Sequence, residues 1–317
     1  MTKPRVLVVA DVPEWAWGRR ARAYRRHLAG RFEIAVVYTR DEPVPDLGGF
    51  DLVHTFEVSQ LDRLAGLWTG REGCRVVSGL TAHVSRTWGP DRMREWAAGC
   101  SALHGNSLLI CEELKPFHPL VHYLPNGVDP VRFHPPEVLR SGPVVFAHCG
   151  KPNPRKGGAL IVGAARRAGV TLMVNQRTSR VALDEDSMAA WVRGVDVMVT
   201  ASNMDGTPNP MLEAAASGAA LLSTPIGNMP ELIADGVNGF LLPELPGRAE
   251  GRVPLPTEGP AVERLSEAMM DRMQWFADYP TETRMMGAAA RGAILAGWTW
   301  ERQVPNVAAL WSEVLGL

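Results

Sequence analysis

Cysteine is scarce in this chain: four residues in 317, at Cys74, Cys100, Cys111 and Cys149, with no CxxC pair among them. That spacing excludes a cysteine-ligated zinc module and a disulfide framework. Long apolar runs are missing as well, and none approaches the roughly 18 residues that a membrane-spanning helix needs. The opening MTKPRVLVVADVPEW has a short apolar run broken by Asp11 and Glu14. It reads as a first strand and not as a secretory leader, so a cytoplasmic setting is the expectation. Charge of one sign is not in excess: 33 Lys and Arg stand against 34 Asp and Glu, a net charge of −1. Any contact with nucleic acid or anionic lipid therefore needs a local basic patch. Short-period repeats and low-complexity tracts are absent too.

What is present is an ordinary globular composition, 46% hydrophobic and 21% charged, at a length suited to two domains. Val6–Ala10 is a fully apolar, β-branched run, the pattern of a strand buried on both faces. A helical stretch (Arg19–Leu28) follows, then strands at Glu33–Tyr38, Asp51–Thr55, Arg75–Ser78, Ser101–Asn106 and Val121–Leu124. After a proline-rich hinge, residues 125–143, the plan repeats. Strands read at Val144–Cys149, Thr171–Asn175, Val195–Ala201 and Ala220–Ser223, with helices at Gly157–Ala168 and Met211–Ser217. Residues 242–260 read as a surface loop. Alternating strands and helices predict two Rossmann-like α/β domains with parallel sheets. The expected division is 1–130, 131–295, and a C-terminal helix at 296–317 packing back towards the first domain. Ligands of such sheets bind beyond the carboxyl ends of the strands, and two facing domains imply a cleft between them.

Three segments of the second half have ligand-binding chemistry. In CGKPNPRKGG (149–158), Gly150 lets the backbone turn, and Lys151, Arg155 and Lys156 gather at a helix N-terminus. Helix amides and dipole already favour an anion there, and a diphosphate fits; a solvated basic turn would use the same residues. In DGTPNPMLEAAASG (205–218), Asp205, Gly206 and Thr207 lie in a loop ahead of a helix carrying Glu213. A carboxylate at Glu213 can accept two ribose hydroxyls, while simple complementation of the helix dipole is the plainer account. The third segment, GNMPE (227–231), is a tight turn before a helix.

The order and spacing of these segments resemble the retaining glycosyltransferases of family 4, which have the GT-B fold. PNGVDPVRF (125–133) is similar to that family's linker, and WTWERQ (298–303) to its C-terminal helix. The resemblance implies a metal-independent enzyme without a cofactor, whose donor is a nucleotide-sugar such as a UDP- or GDP-sugar. It implies that Lys156 binds phosphate, with Lys151 where the family has arginine. Glu213 then binds the ribose, and Asp205, replacing a glutamate, contacts the transferred sugar. Amides of Gly206 and Thr207 cover sugar and diphosphate. By the same resemblance His83, in RVVSGLTAHVSRTW (75–88), is the counterpart of a histidine beside the donor sugar; a loop histidine without a role is the alternative. The family's Gly-Gly turn after the first strand is replaced by DVPEWAWGRRARAY, with only Gly18.

Trp15, Trp17, Arg19 and Arg22 are the expected acceptor-side residues. Aromatics interleaved with arginines suit an anionic acceptor, by stacking and phosphate contact, and equally suit a solvated helix face. Acceptors considered are a lipid-linked or other glycan, a natural product and a hydroxylated DNA base. A catalytically impaired sugar-nucleotide or nucleic-acid binding protein is the alternative to an enzyme.

Overall fold

The computed structural model describes residues 2–68, 74–83, 85–138, 140–151, 153–176, 183–244 and 258–317. Most of the loop expected at 242–260 (residues 245–257) lies outside them. The chain forms two compact units, Met1–Gly127 with Trp300–Leu317, and Val128–Thr299.

In the first unit the order is β1 (Arg5–Ala10), α1 (Ala16–Leu28), β2 (Glu33–Tyr38), β3 (Leu52–Thr55), α2 (Leu61–Trp68), β4 (Arg75–Leu80), α3 (Ser85–Trp88), α4 (Pro90–Ala98), β5 (Ala102–Gly105), α5 (Leu108–Leu114) and β6 (Val121–Tyr123). The strands make one parallel sheet in the order β2-β1-β3-β4-β5-β6. Val6–Ala10 is buried on both faces because Val6, Val8 and Ala10 pack into one hydrophobic cluster with residues of α1 and the last helix, and Leu7 and Val9 into another with Leu47 and Leu64. β2 lies at the edge, where its residues are largely half-buried or exposed. The last helix of the chain, Trp300–Leu315, belongs to this unit and packs on α1. Its buried face is Val304, Val307, Ala308, Leu310 and Trp311, the i, i+3, i+4, i+7 stripe of an amphipathic helix. The Trp311 ring meets Phe32 and Tyr24 edge-on, with centroids 5.2 and 6.0 Å away, and its indole N–H donates to His54 Nδ1 at 3.2 Å.

The second unit runs β7 (Phe146–Gly150), α6 (Gly158–Ala168), β8 (Leu172–Gln176), α7 (Glu185–Val192), β9 (Val197–Thr200), α8 (Asn209–Ala216), β10 (Ala220–Ser223), α9 (Met229–Leu232), β11 (Gly239–Leu241), α10 (Pro260–Asp278) and α11 (Pro280–Gly297). Its parallel sheet has the order β11-β10-β9-β7-β8. Strand order reverses between β7 and β9, so the loops leaving those two strands flank the topological switch point. In doubly wound sheets that is where ligands bind. The helix expected to begin at Met211 begins at Asn209, because Pro210 is tolerated in a first turn whose N–H groups are unpaired in any case.

Candidate functional site

Two loops meet at the switch point of the second sheet. The first leaves β7 at Gly150, passes Lys151, and makes a 3₁₀ turn at Pro154–Lys156 before α6. Asn153 builds this turn: its side chain accepts from the Arg155 N–H at 3.0 Å, and its carbonyl from the Lys156 N–H at 2.9 Å. Gly157 has φ +65°, and a Cβ there would stand 2.6 Å from the Ala201 carbonyl oxygen. Only glycine lets the first loop pass this close to the end of β9. The second loop, after β9, is held to the first by the Asn203 N–H donating to the Arg155 carbonyl at 3.2 Å.

These contacts bring together the residues singled out in the sequence. Lys156 Nζ donates to Asp205 Oδ1, with side-chain exposures of 29% and 20%. Arg155 is held along the loop: its Nε donates to Asn153 Oδ1 at 3.3 Å, and Nη1 lies 3.2 Å from Met204 Sδ. Lys151 is exposed. Gly206 and Thr207 are clamped by the turn at 227–228. Gly227 has φ +53°, and a Cβ there would fall 2.0 Å from the Gly206 carbonyl oxygen. The Asn228 N–H donates to that same oxygen at 2.9 Å, and Nδ2 donates to Thr207 Oγ1 at 3.1 Å. Glu213 is buried in the second turn of α8.

Beneath the first loop lies His148, which sequence reasoning passed over as a strand residue. It is buried, and its Nδ1–H donates to the Val199 carbonyl at 3.0 Å. Burial lowers its pKa from the ordinary histidine value; the hydrogen bond to Val199 opposes this, Lys156 adds to it and Asp205 opposes it. Asn153 was also missed, and Asn228 was read only as part of a tight turn, without its side-chain bond to Thr207. Their signal was present in the loop segments, but an asparagine that fastens one loop to another looks in sequence like any turn asparagine.

The residues expected in the first half fall in the first unit. His83 follows β4 and is 2% exposed. Its Nδ1 contacts Glu113 Oε1, on α5, and Ser85 Oγ donates to the other oxygen of that carboxylate at 2.9 Å. Among the described residues His83 Nε2 is buried without a hydrogen-bond partner. Trp17 reaches the same strand end, its indole N–H donating to Thr81 Oγ1 at 3.0 Å. Trp15 lies under the Arg40 guanidinium, 4.7 Å from ring centroid to Cζ. Arg19 Nε donates to the Glu14 carbonyl at 3.1 Å, and Arg22 Nη1 donates to that of Pro13. Both arginines thus brace the β1–α1 loop. Gly18 explains how that loop does without a Gly-Gly turn, since a Cβ at this position would lie 2.1 Å from the Val12 carbonyl oxygen. Arg20, from the same run, is buried; it donates to the Tyr24 hydroxyl at 2.9 Å and to the Leu124 carbonyl at 3.0 Å. Among the described residues no group of three or more His, Cys, Asp or Glu is placed to hold a metal ion. Among the described residues no helix is long and apolar enough to cross a membrane.

Residues 138–250 match the family model described as glycosyl transferases group 1. The D-inositol 3-phosphate glycosyltransferase of Streptomyces avermitilis is 30% identical over 135 residues, 42% of this chain and 24% of that protein. The match thus spans about a quarter of the length of that curated relative. Among solved structures, sucrose-phosphate synthase from Thermosynechococcus elongatus aligns with a TM-score of 0.77 at 11% identity, covering 99% of this chain and 100% of the other. Anabaena HepE in complex with UDP-glucose aligns with a TM-score of 0.70 at 13% identity, covering 98% and 99%. The two parallel-sheet α/β units are those of the GT-B fold.

Proposed function

From a chain of GT-B fold whose second unit carries the segment characteristic of group 1 glycosyl transferases, we propose a glycosyltransferase that moves a sugar from a nucleotide-sugar to an acceptor hydroxyl, with retention at the anomeric carbon. The observation that carries this reading is the meeting of Lys156 with Asp205 at the switch point of the second sheet, inside the matched segment.

Lys156, Lys151 and Arg155 take the diphosphate, together with the amides at the start of α6. The buried Glu213 carboxylate accepts the ribose hydroxyls, and Asp205 accepts those of the transferred sugar. As the glycosidic bond breaks, charge grows on the β-phosphate. Cations and loop amides set in place beforehand stabilise that charge without reorganising. Charge neutralisation by these residues requires no metal. The β-phosphate oxygen receives the proton of the attacking hydroxyl on the face the leaving group vacates, so no protein general base is assigned. In this scheme the Lys156–Asp205 pair is exchanged on donor binding: Lys156 turns to phosphate and Asp205 to the sugar.

Trp15, Trp17, Arg19 and Arg22 are assigned to the acceptor side. The test is mass spectrometry of products from a panel of UDP- and GDP-sugars with glycan, natural-product and hydroxylated-DNA acceptors. One donor is expected to be consumed in a Lys156-dependent way. Saturable nucleotide-sugar binding with neither transfer nor hydrolysis would instead favour a catalytically impaired binding protein.

A further inference from the structure

His148 stands on β7, one residue ahead of the segment that carries the cations, and takes no part in the exchange between Lys156 and Asp205. Its side chain is 4% exposed. A carbonyl can only accept, so the bond to Val199 at 3.0 Å puts a proton on Nδ1 and leaves Nε2 a lone pair in the neutral ring. Nε2 makes no hydrogen bond among the described residues.

That nitrogen points at the start of α6. A Cβ at Gly150 would stand 3.1 Å from it, and a Cβ at Gly158, the first residue of α6, 3.5 Å. Side chains at these positions would close over Nε2, and two glycines leave it facing the loop. Lys156 borders the same space, its Cβ 3.7 Å from the Cβ position of Gly150. No side chain caps α6, whose first amides have no partner within the helix. Uncapped amides, a lysine and an unpartnered buried imidazole thus converge within the second unit. The first two favour an anion. A neutral Nε2 repels a phosphate oxygen through its lone pair, whereas a protonated one donates a charge-assisted hydrogen bond to it.

The charges around the ring decide when that proton is held. Burial and Lys156 oppose it, and Asp205 favours it. The neighbouring strands bring no ionisable group, since His148 lies between Val174 on β8 and Val199 on β9. Cys149 packs against the cluster on the other face of the sheet. Arg155 is held to Asn153 and Met204, and Lys151 is exposed. A cation on His148 beside Lys156 therefore needs a further negative charge, and a diphosphate supplies it.

We propose that His148 is the floor of the diphosphate site, and that it takes a proton from solvent onto Nε2 as the anion binds, this N–H then donating to a phosphate oxygen. That the anion belongs to a nucleotide-sugar rests on the glycosyltransferase reading; the proton-linked anion site does not. Because the complex binds the extra proton, affinity falls as pH rises through the range in which bound His148 loses it.

The first test is long-range ¹H–¹⁵N NMR of the imidazole nitrogens in the full chain at pH 7, with and without inorganic pyrophosphate. His148 is assigned by comparison with His148→Asn, whose amide N–H can still serve Val199. The expected ring is neutral and protonated on Nδ1 alone, and becomes protonated on both nitrogens with pyrophosphate. A ring that pyrophosphate leaves neutral overturns the proposal. The second test is calorimetry of UDP-glucose and GDP-mannose in buffers of different ionisation enthalpy. Whichever binds should bring uptake of up to about one proton and lose about tenfold or more in affinity between pH 6.5 and pH 8.5, and His148→Asn should abolish both effects. Binding without proton uptake, or uptake that the substitution leaves unchanged, also overturns it. If neither nucleotide-sugar binds, the glycosyltransferase reading fails, while the pyrophosphate spectra still decide the anion site.

Discussion

Lys156 and Asp205 neutralise one another across two loops that are 49 residues apart in sequence. A ligand phosphate must compete with Asp205 for Lys156, so removing the lysine should act on phosphate and not on the nucleoside. Lys156→Ala is expected to weaken UDP binding about tenfold or more, the scale of one charge-assisted hydrogen bond, and to leave uridine binding unchanged. Competition calorimetry with both ligands checks this. At Glu213 the expectation is different in kind. The native chain should bind UDP more tightly than 2′-deoxy-UDP, and Glu213→Ala should bind the two alike. Cys100 marks the opposite extreme: burial pushes its thiol up to about 12, which leaves it unreactive at neutral pH.

Loop closure in the second unit depends on turn geometry more than on charge. Gly227 combines φ +53° with a Cβ position inside contact distance of the Gly206 carbonyl. Gly227→Ala should therefore lower Tm by several degrees and weaken UDP binding together, because the turn must move away from the 205–207 loop. Differential scanning fluorimetry with and without UDP reads both effects. Strands β1 and β9 were legible because burial on both faces favours short runs rich in β-branched residues, VLVVA at 6–10 and VMVT at 197–200. The three-residue β11 (Gly239–Leu241) was not, since so short a run has no periodicity to read. Lys156, Asp205 and Glu213 were singled out from their loop segments and the family resemblance, and the structure brings the first two into contact. Glu113 was not singled out, because its partner His83 lies 30 residues away and nothing in CEEL separates it from Glu112. The arginine run of α1 illustrates a further limit. Its residues divide among a buried bond to Tyr24, braces on the preceding loop, and Arg25, Arg26 and His27 at the helix C-terminus, where they complement the dipole. Composition cannot separate these uses.

In the first unit, the C-terminal helix closes a core that holds two histidines. His54 and His104 stack at 4.7 Å with 11° between planes, both fully buried beside Arg20 and Trp311. Burial brings His104 down to about 3 and holds His54 well below the ordinary value; for each, the neighbouring positive groups act in the same direction. A folded-state pKa below that of the unfolded chain gives stability that is complete above about pH 6.5 and is lost as pH falls through and below that value. Tm should accordingly drop between pH 7 and pH 5, and His104→Leu should flatten that dependence whatever it does to Tm at pH 7. Deleting residues 300–317 should unfold the first unit, because Trp311 and its neighbours complete this core. Calorimetric titration of the full chain with UDP and with GDP tests nucleotide binding by the second unit most directly. The expected result is saturable one-to-one binding of one nucleotide, lost or sharply weakened in Lys156→Ala. Binding of neither nucleotide, or binding that the substitution leaves unchanged, would contradict it.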